Sequence, residues 1–175
     1  MPSSVQITGT GQLVMLSRRL RAAGGPRLRQ NLARRLRRAA EPLHRDLQQA
    51  IRTQPLASEG RKRNRDGRIP HGGPSPTTRP FRAMLAGGVR ISVRQGASPG
   101  ARVWMDWTQL EPGTTGVPKQ VNEGRLRHPV FGNRSRWATQ WARPAGWWTR
   151  TVQAGTPRMR AEVERVLGDV RRDLE

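Results

Sequence analysis

At 175 residues and 34% apolar content, the chain has room for one domain around one modest core. Its formal net charge of +21 opposes compaction through self-repulsion and calls for a partner of opposite charge: nucleic acid, anionic lipid or an acidic protein surface. The absence of cysteine excludes disulfides, thiolate zinc sites and cysteine nucleophiles.

No segment reaches the roughly 18 consecutive apolar residues of a membrane span. The start, Met1–Ser4 then Val5–Thr10, lacks the charged and apolar regions of a secretory signal. A protein made in the cytoplasm with no membrane partner is expected. Residues 1–9 read as an extended arm, and residues 10–52 as helices. Thr10 is placed to cap a short helix to about Ala23, with Leu13, Leu16 and Leu20 on one face; Gly24–Gly25 ends it and Pro26 opens the next.

Arg27–Arg52 carries the strongest helical pattern in the chain. Leu28, Leu32, Leu36, Ala39 or Ala40, Leu43, Leu47 and Ile51 recur at three- and four-residue steps. Arg29, Arg34, Arg37, Arg38, Arg45 and Arg52 fall largely off that stripe, which makes Arg34, Arg37, Arg38 and Arg45 candidates to face DNA. Pro42 removes one backbone donor and is expected to bend the helix. An arginine–leucine helix also has the composition of a membrane-surface binder, but the following sheet needs the leucine stripe for its own core.

Residues 54–80 lack apolar periodicity and are rich in Pro and Gly. They hold a basic cluster, Arg61, Lys62, Arg63, Arg65 and Arg68. A loop this long is either disordered or functional, and contact with a neighbouring subunit is the expectation. Phosphate contact, acidic-protein contact and plain solvation all fit the cluster.

Residues 81–148 read as the sheet region. A short helical turn near Phe81–Ala86 precedes Val89, Ile91 and Val93, which alternate with Arg90, Ser92 and Arg94 as a half-buried strand does. Residues 95–100 are turn material. Ala101–Trp107 returns as the hairpin partner, with Val103, Met105 and Trp107 facing one way, and Glu111–Gly116 forms a second loop. Thr156 is placed to cap a last helix, 156–175, opened by Pro157, with Met159, Val163, Val166, Leu167, Val170 and Leu174 as its stripe. The fold class is α+β: a small antiparallel sheet with a long basic N-terminal helix and a C-terminal helix packed on it, plus long extended loops.

No set of residues supports catalysis. His44, His71 and His128 lack a second ligand at metal spacing; His44 reads as a boundary residue and His128 as orienting the bend at Pro129. Asp106, Glu111 and Glu123 are the only carboxylates between the long loop and the last helix, and a salt bridge from Glu123 to a neighbouring arginine is expected. Ser135 lacks a nucleophile-elbow context. Neither cofactor nor metal is expected. Trp137 and Trp141, flanked by Arg134, Arg136 and Arg143, have the make-up of a base-stacking surface. Their spacing of four also suits one helix face, and buried packing is the favoured reading for them.

Residues 122–148 concentrate the aromatics, with four of the six Trp and one of the two Phe. Gly124, Gly132 and Gly146 permit positive φ while Pro129 and Pro144 fix it, so a folded-back β segment leading to a Trp-rich corner is expected. Asn122–Glu123–Gly124–Arg125, His128–Pro129–Val130–Phe131–Gly132–Asn133–Arg134, Trp137, Gln140 and Pro144–Ala145–Gly146–Trp147–Trp148 resemble the neck or tail-completion proteins of long-tailed double-stranded-DNA phages, particularly those of actinobacterial hosts. Ala145 is inserted into the Pro-Gly pair of that pattern, and Trp148 stands where Phe is usual. Only Lys62 and Lys119 among the 33 basic residues are lysine, a skew that fits a GC-rich genome of this kind.

The resemblance implies a single virion domain, 1–175, that completes the upper end of the tail and joins it to the head around the DNA channel. It implies a homo-oligomeric ring, a hexamer first and a dodecamer second, among other neck, tail-tube or portal-side proteins and in non-specific contact with channel DNA. Trp147 and Trp148 are then expected to anchor into a neighbouring subunit. The competing reading is a non-catalytic basic nucleic-acid-binding protein, and the direction in which the arginines and Trp137 and Trp141 point discriminates the two.

Overall fold

The computed structural model describes residues 4–8, 15, 26–58, 81–94, 99–110, 112–130 and 133–172. The expected helix at 10–23, apart from Met15, lies outside them, as do the greater part of the 54–80 loop with its basic cluster, and Phe131 and Gly132. The architecture is α+β.

Its spine is α1 (Pro26–Thr53). Leu32, Leu36, Ala39, Ala40, Leu43, Leu47 and Ile51 are all buried, as their periodicity requires. Each buried leucine contributes about 1.5–3 kcal/mol of transfer free energy, so this stripe dominates the core. The helix runs on through Pro42. One flank of α1 carries α2 (Phe81–Gly87) and the strands β3 (Val89–Arg94) and β4 (Gly100–Met105). Two polar bonds fix that flank: Gln48 Nε2 donates to the Ala86 carbonyl at 3.1 Å, and a His44 ring nitrogen donates to the Val89 carbonyl at 2.9 Å. His44 is therefore a helix-to-sheet tie.

The first sheet has the order β1–β4–β3, all antiparallel. The expected N-terminal arm is its third strand, β1 (Ser4–Thr8), with Ser4 opposite Trp104 and Thr8 opposite Gly100. Val103 and Met105 are buried, and Ile91 and Val93 half-buried, as the alternation predicts. Asp106 then caps a 3-10 turn, Trp107–Gln109, by accepting from Thr108 N at 3.1 Å and from its hydroxyl at 2.6 Å.

A short helix that the sequence reading passes over, α3 (Val117–Asn122), leads into the second sheet. That sheet has the order β2–β6–β5, where β2 is Leu56–Ser58, β5 Arg125–Val130 and β6 Asn133–Ala142. Helix α4 (Trp147–Arg172) packs along α1. It starts about two and a half turns before the expected cap at Thr156. Thr156 is inside the helix, its hydroxyl bonded to the Val152 carbonyl at 2.6 Å, and Pro157 is tolerated on the exposed side. Met159, Val163, Val166 and Val170 form the buried stripe. The helices approach closely at Gly155, where a Cβ would lie 2.7 Å from Leu43 Cδ1.

Candidate polyanion-binding surfaces and the corner that positions them

The link from α3 through β5 and β6 to α4 is one interlocked corner, and Asn122 is its pin. The Asn122 carbonyl accepts from Gly146 N at 2.7 Å. Its side-chain Oδ1 accepts from Trp148 N at 2.9 Å and Thr149 N at 3.2 Å, and Nδ2 donates to the Thr149 hydroxyl at 3.1 Å. The first backbone N–H groups of a helix lack partners within it, and a side-chain oxygen normally comes from the residue just before. That residue here is Gly146, at φ +83, which has no side chain to offer. Asn122 caps α4 from another element instead. This is why the helix begins at Trp147.

Gly124, at φ +85, turns the chain from α3 into β5, and a Cβ there would meet the Ala145 Cβ at 2.8 Å. The Pro144 carbonyl, after a cis Arg143–Pro144 bond, accepts from Gln54 Nε2 and from Arg150 Nη2, both at 3.0 Å. Trp147 and Trp148 close the corner, only 2% and 7% exposed, with their rings edge to face at 5.5 Å. The Trp147 indole donates to the Pro118 carbonyl at 3.3 Å. These two tryptophans, expected as anchors into a neighbouring subunit, are instead core residues of their own chain. Among the described residues Glu123 pairs with Lys119 at 3.8 Å and not with an arginine, and both are exposed enough for the pair to contribute little. His128, half-buried at the bend, donates from Nδ1 to the Pro129 carbonyl at 3.1 Å.

Two basic surfaces lie on this frame. The first is the outer side of α1, where Arg34, Arg37, Arg38, Arg45 and Arg52 are all exposed. From Arg34 to Arg52 the row runs about 27 Å at the helical rise. Glu41 and Asp46 are the only acids on the helix.

The second is one face of the second sheet. In the β5–β6 register Arg125 lies opposite Trp141, Arg127 opposite Thr139, and Pro129 opposite Trp137, so these residues share a face. Leu126 and Ala142, on the other face, are buried. Trp137 and Trp141 therefore stand on a strand, not on the helix face that favoured their burial. Trp137 is 50% exposed and Trp141 half-exposed. Guanidinium groups lie over them: Arg127 is 5.3 Å from the Trp137 ring centre, and Arg143 and Arg125 are 5.2 and 6.0 Å from that of Trp141. The Trp137 indole N–H is satisfied by the Arg134 carbonyl at 2.8 Å, so its exposed ring needs no further polar partner. Neither β5 nor β6 contains an acid.

Of the arginines expected beside these rings, Arg143 lies over Trp141 and Arg134 offers its carbonyl to Trp137, while Arg125 and Arg127 were not expected there. The signal for them was the two-residue alternation Arg125, Arg127 set against Trp137, Thr139, Trp141 across the hairpin. A shallow groove between α1 and α4 is lined by Asp46, Gln54, Trp147, Arg150 and Arg158. Among the described residues no group of three His, Cys, Asp or Glu is placed to hold a metal ion, and no helix is long and apolar enough to cross a membrane. Comparison with protein-family models, curated proteins and solved structures finds no match.

Proposed function

We propose that this chain is a structural subunit of the head–tail junction of a long-tailed phage virion, made in the host cytoplasm and working without catalysis. It completes the upper end of the tail as one copy in a ring, six-fold first and twelve-fold second, beside neck, tail-tube or portal-side neighbours. The observation that carries the reading is the placement of the residues bearing the resemblance. Asn122, Gly124, Pro144, Gly146, Trp147 and Trp148 build one corner, which supports taking them together as one motif. The arginine row of α1 supplies the charge that non-specific contact with channel DNA or with acidic neighbours requires.

A phage lacking the protein is expected to accumulate filled heads and detached or irregular tails; normal virions contradict the proposal. The second reading, a free nucleic-acid-binding protein, is favoured by the outward placement of Trp137 and Trp141 among Arg125, Arg127 and Arg143. Native mass spectrometry separates the two, because the free binder needs no ring.

A further inference from the structure

We infer that the Arg–Trp face of the second sheet is a binding site for single-stranded nucleic acid. The inference rests on the arginines and exposed indole of this surface and not on the virion assignment. Three arginines lie over two indoles within cation–π range, and guanidinium N–H groups are the donors that grip phosphates. Because those contacts order the side chains beforehand, less conformational freedom is lost when phosphate binds.

Charge alone does not choose the occupant; the exposed indoles do. A duplex keeps its bases stacked inside and meets such a face through phosphates only, making no use of Trp137. A peptide carboxylate would need the arginines and not the rings. A single strand presents both phosphates and unstacked bases, each with a π face for the ring that Trp137 leaves 50% exposed. The α1 row, with arginines and no exposed aromatic side chain, serves as the internal control for pure phosphate contact.

The test uses the full chain and a fluorescein-labelled thymidine oligonucleotide of about 16 nucleotides, near the upper site size of single-strand folds, beside a duplex of equal length. Trp137→Ala should weaken single-strand binding by on the order of tenfold and leave duplex binding unchanged, with Trp137→Phe recovering most of the loss. Arg34→Gln with Arg38→Gln should weaken both equally. Unchanged single-strand affinity in Trp137→Ala overturns the inference. So does polyglutamate of equal charge binding as tightly as the oligonucleotide, which makes the face a dock for acidic protein. A monomer that binds through Trp137 refutes the ring but keeps this site, whereas a ring insensitive to Trp137→Ala does the reverse.

Discussion

Replacing Asn122 by alanine tests how the corner is held. The change removes the acceptor for Trp148 N and Thr149 N and the donor to the Thr149 hydroxyl, while the Asn122 carbonyl bond to Gly146 N remains. Loss of an N-cap costs about 0.5–2 kcal/mol. The Trp148 N–H is buried, and a buried donor left unpaired costs about 1–3 kcal/mol. These overlap, so the expected loss is about 2–4 kcal/mol, a drop in melting temperature on the order of 10 °C. Urea denaturation should show a lower midpoint at unchanged slope, because the fold and the area it exposes on unfolding stay the same. Asn122→Asp keeps the acceptor and sets a negative charge at a helix N-terminus, so it should fall between wild type and alanine. A loss below about 1 kcal/mol for alanine, or an aspartate variant as poor as alanine, would refute capping from α3.

Trp147→Ala should cost about 3–5 kcal/mol in the same assay, as expected for a core aromatic, whereas Trp137→Ala should stay within about 0.5 kcal/mol. Equal losses would contradict the contrast in burial. Gly124→Ala should lower the melting temperature more than Gly146→Ala: both sit at positive φ, but only at Gly124 does the new Cβ collide with the Ala145 Cβ. Gly155→Ala sets a helix-propensity gain of about 0.5–1 kcal/mol against an overpacking cost of about 1–3 kcal/mol at Leu43 Cδ1, so thermal unfolding should show a net loss of up to about 2 kcal/mol; a gain in stability would mean Leu43 rotates aside without cost.

The α1 stripe, the β3–β4 hairpin and the α4 stripe were legible because apolar periodicity reports burial directly. Ala39, Leu43 and Leu47 could face only one core. The start of α4 was not legible, since its cap comes from Asn122, far away in sequence, and Thr156–Pro157 imitates a local one. The extended arm at residues 1–9 was legible but its pairing was not, because Ser4–Thr8 becomes a strand only against β4, a tertiary contact that overrides weak local preference. The second surface was half legible. Its tryptophans stood out, but a spacing of four places residues on one face of a helix and of a strand alike, and the helical reading put them inside. Trp147 and Trp148 failed in the opposite sense: aromatic composition marks both interfaces and cores, and only the Asn122 and Gly124 geometry decides between them.

The central claim is that this chain functions as one member of an assembly that brings its arginine surfaces against partners of opposite charge. Native mass spectrometry of the purified chain across salt concentrations, with electron microscopy of the same sample, tests it most directly. Closed rings, six-fold by first expectation, are the predicted result. A solitary monomer at every concentration, unaltered by added polyanion, would contradict it.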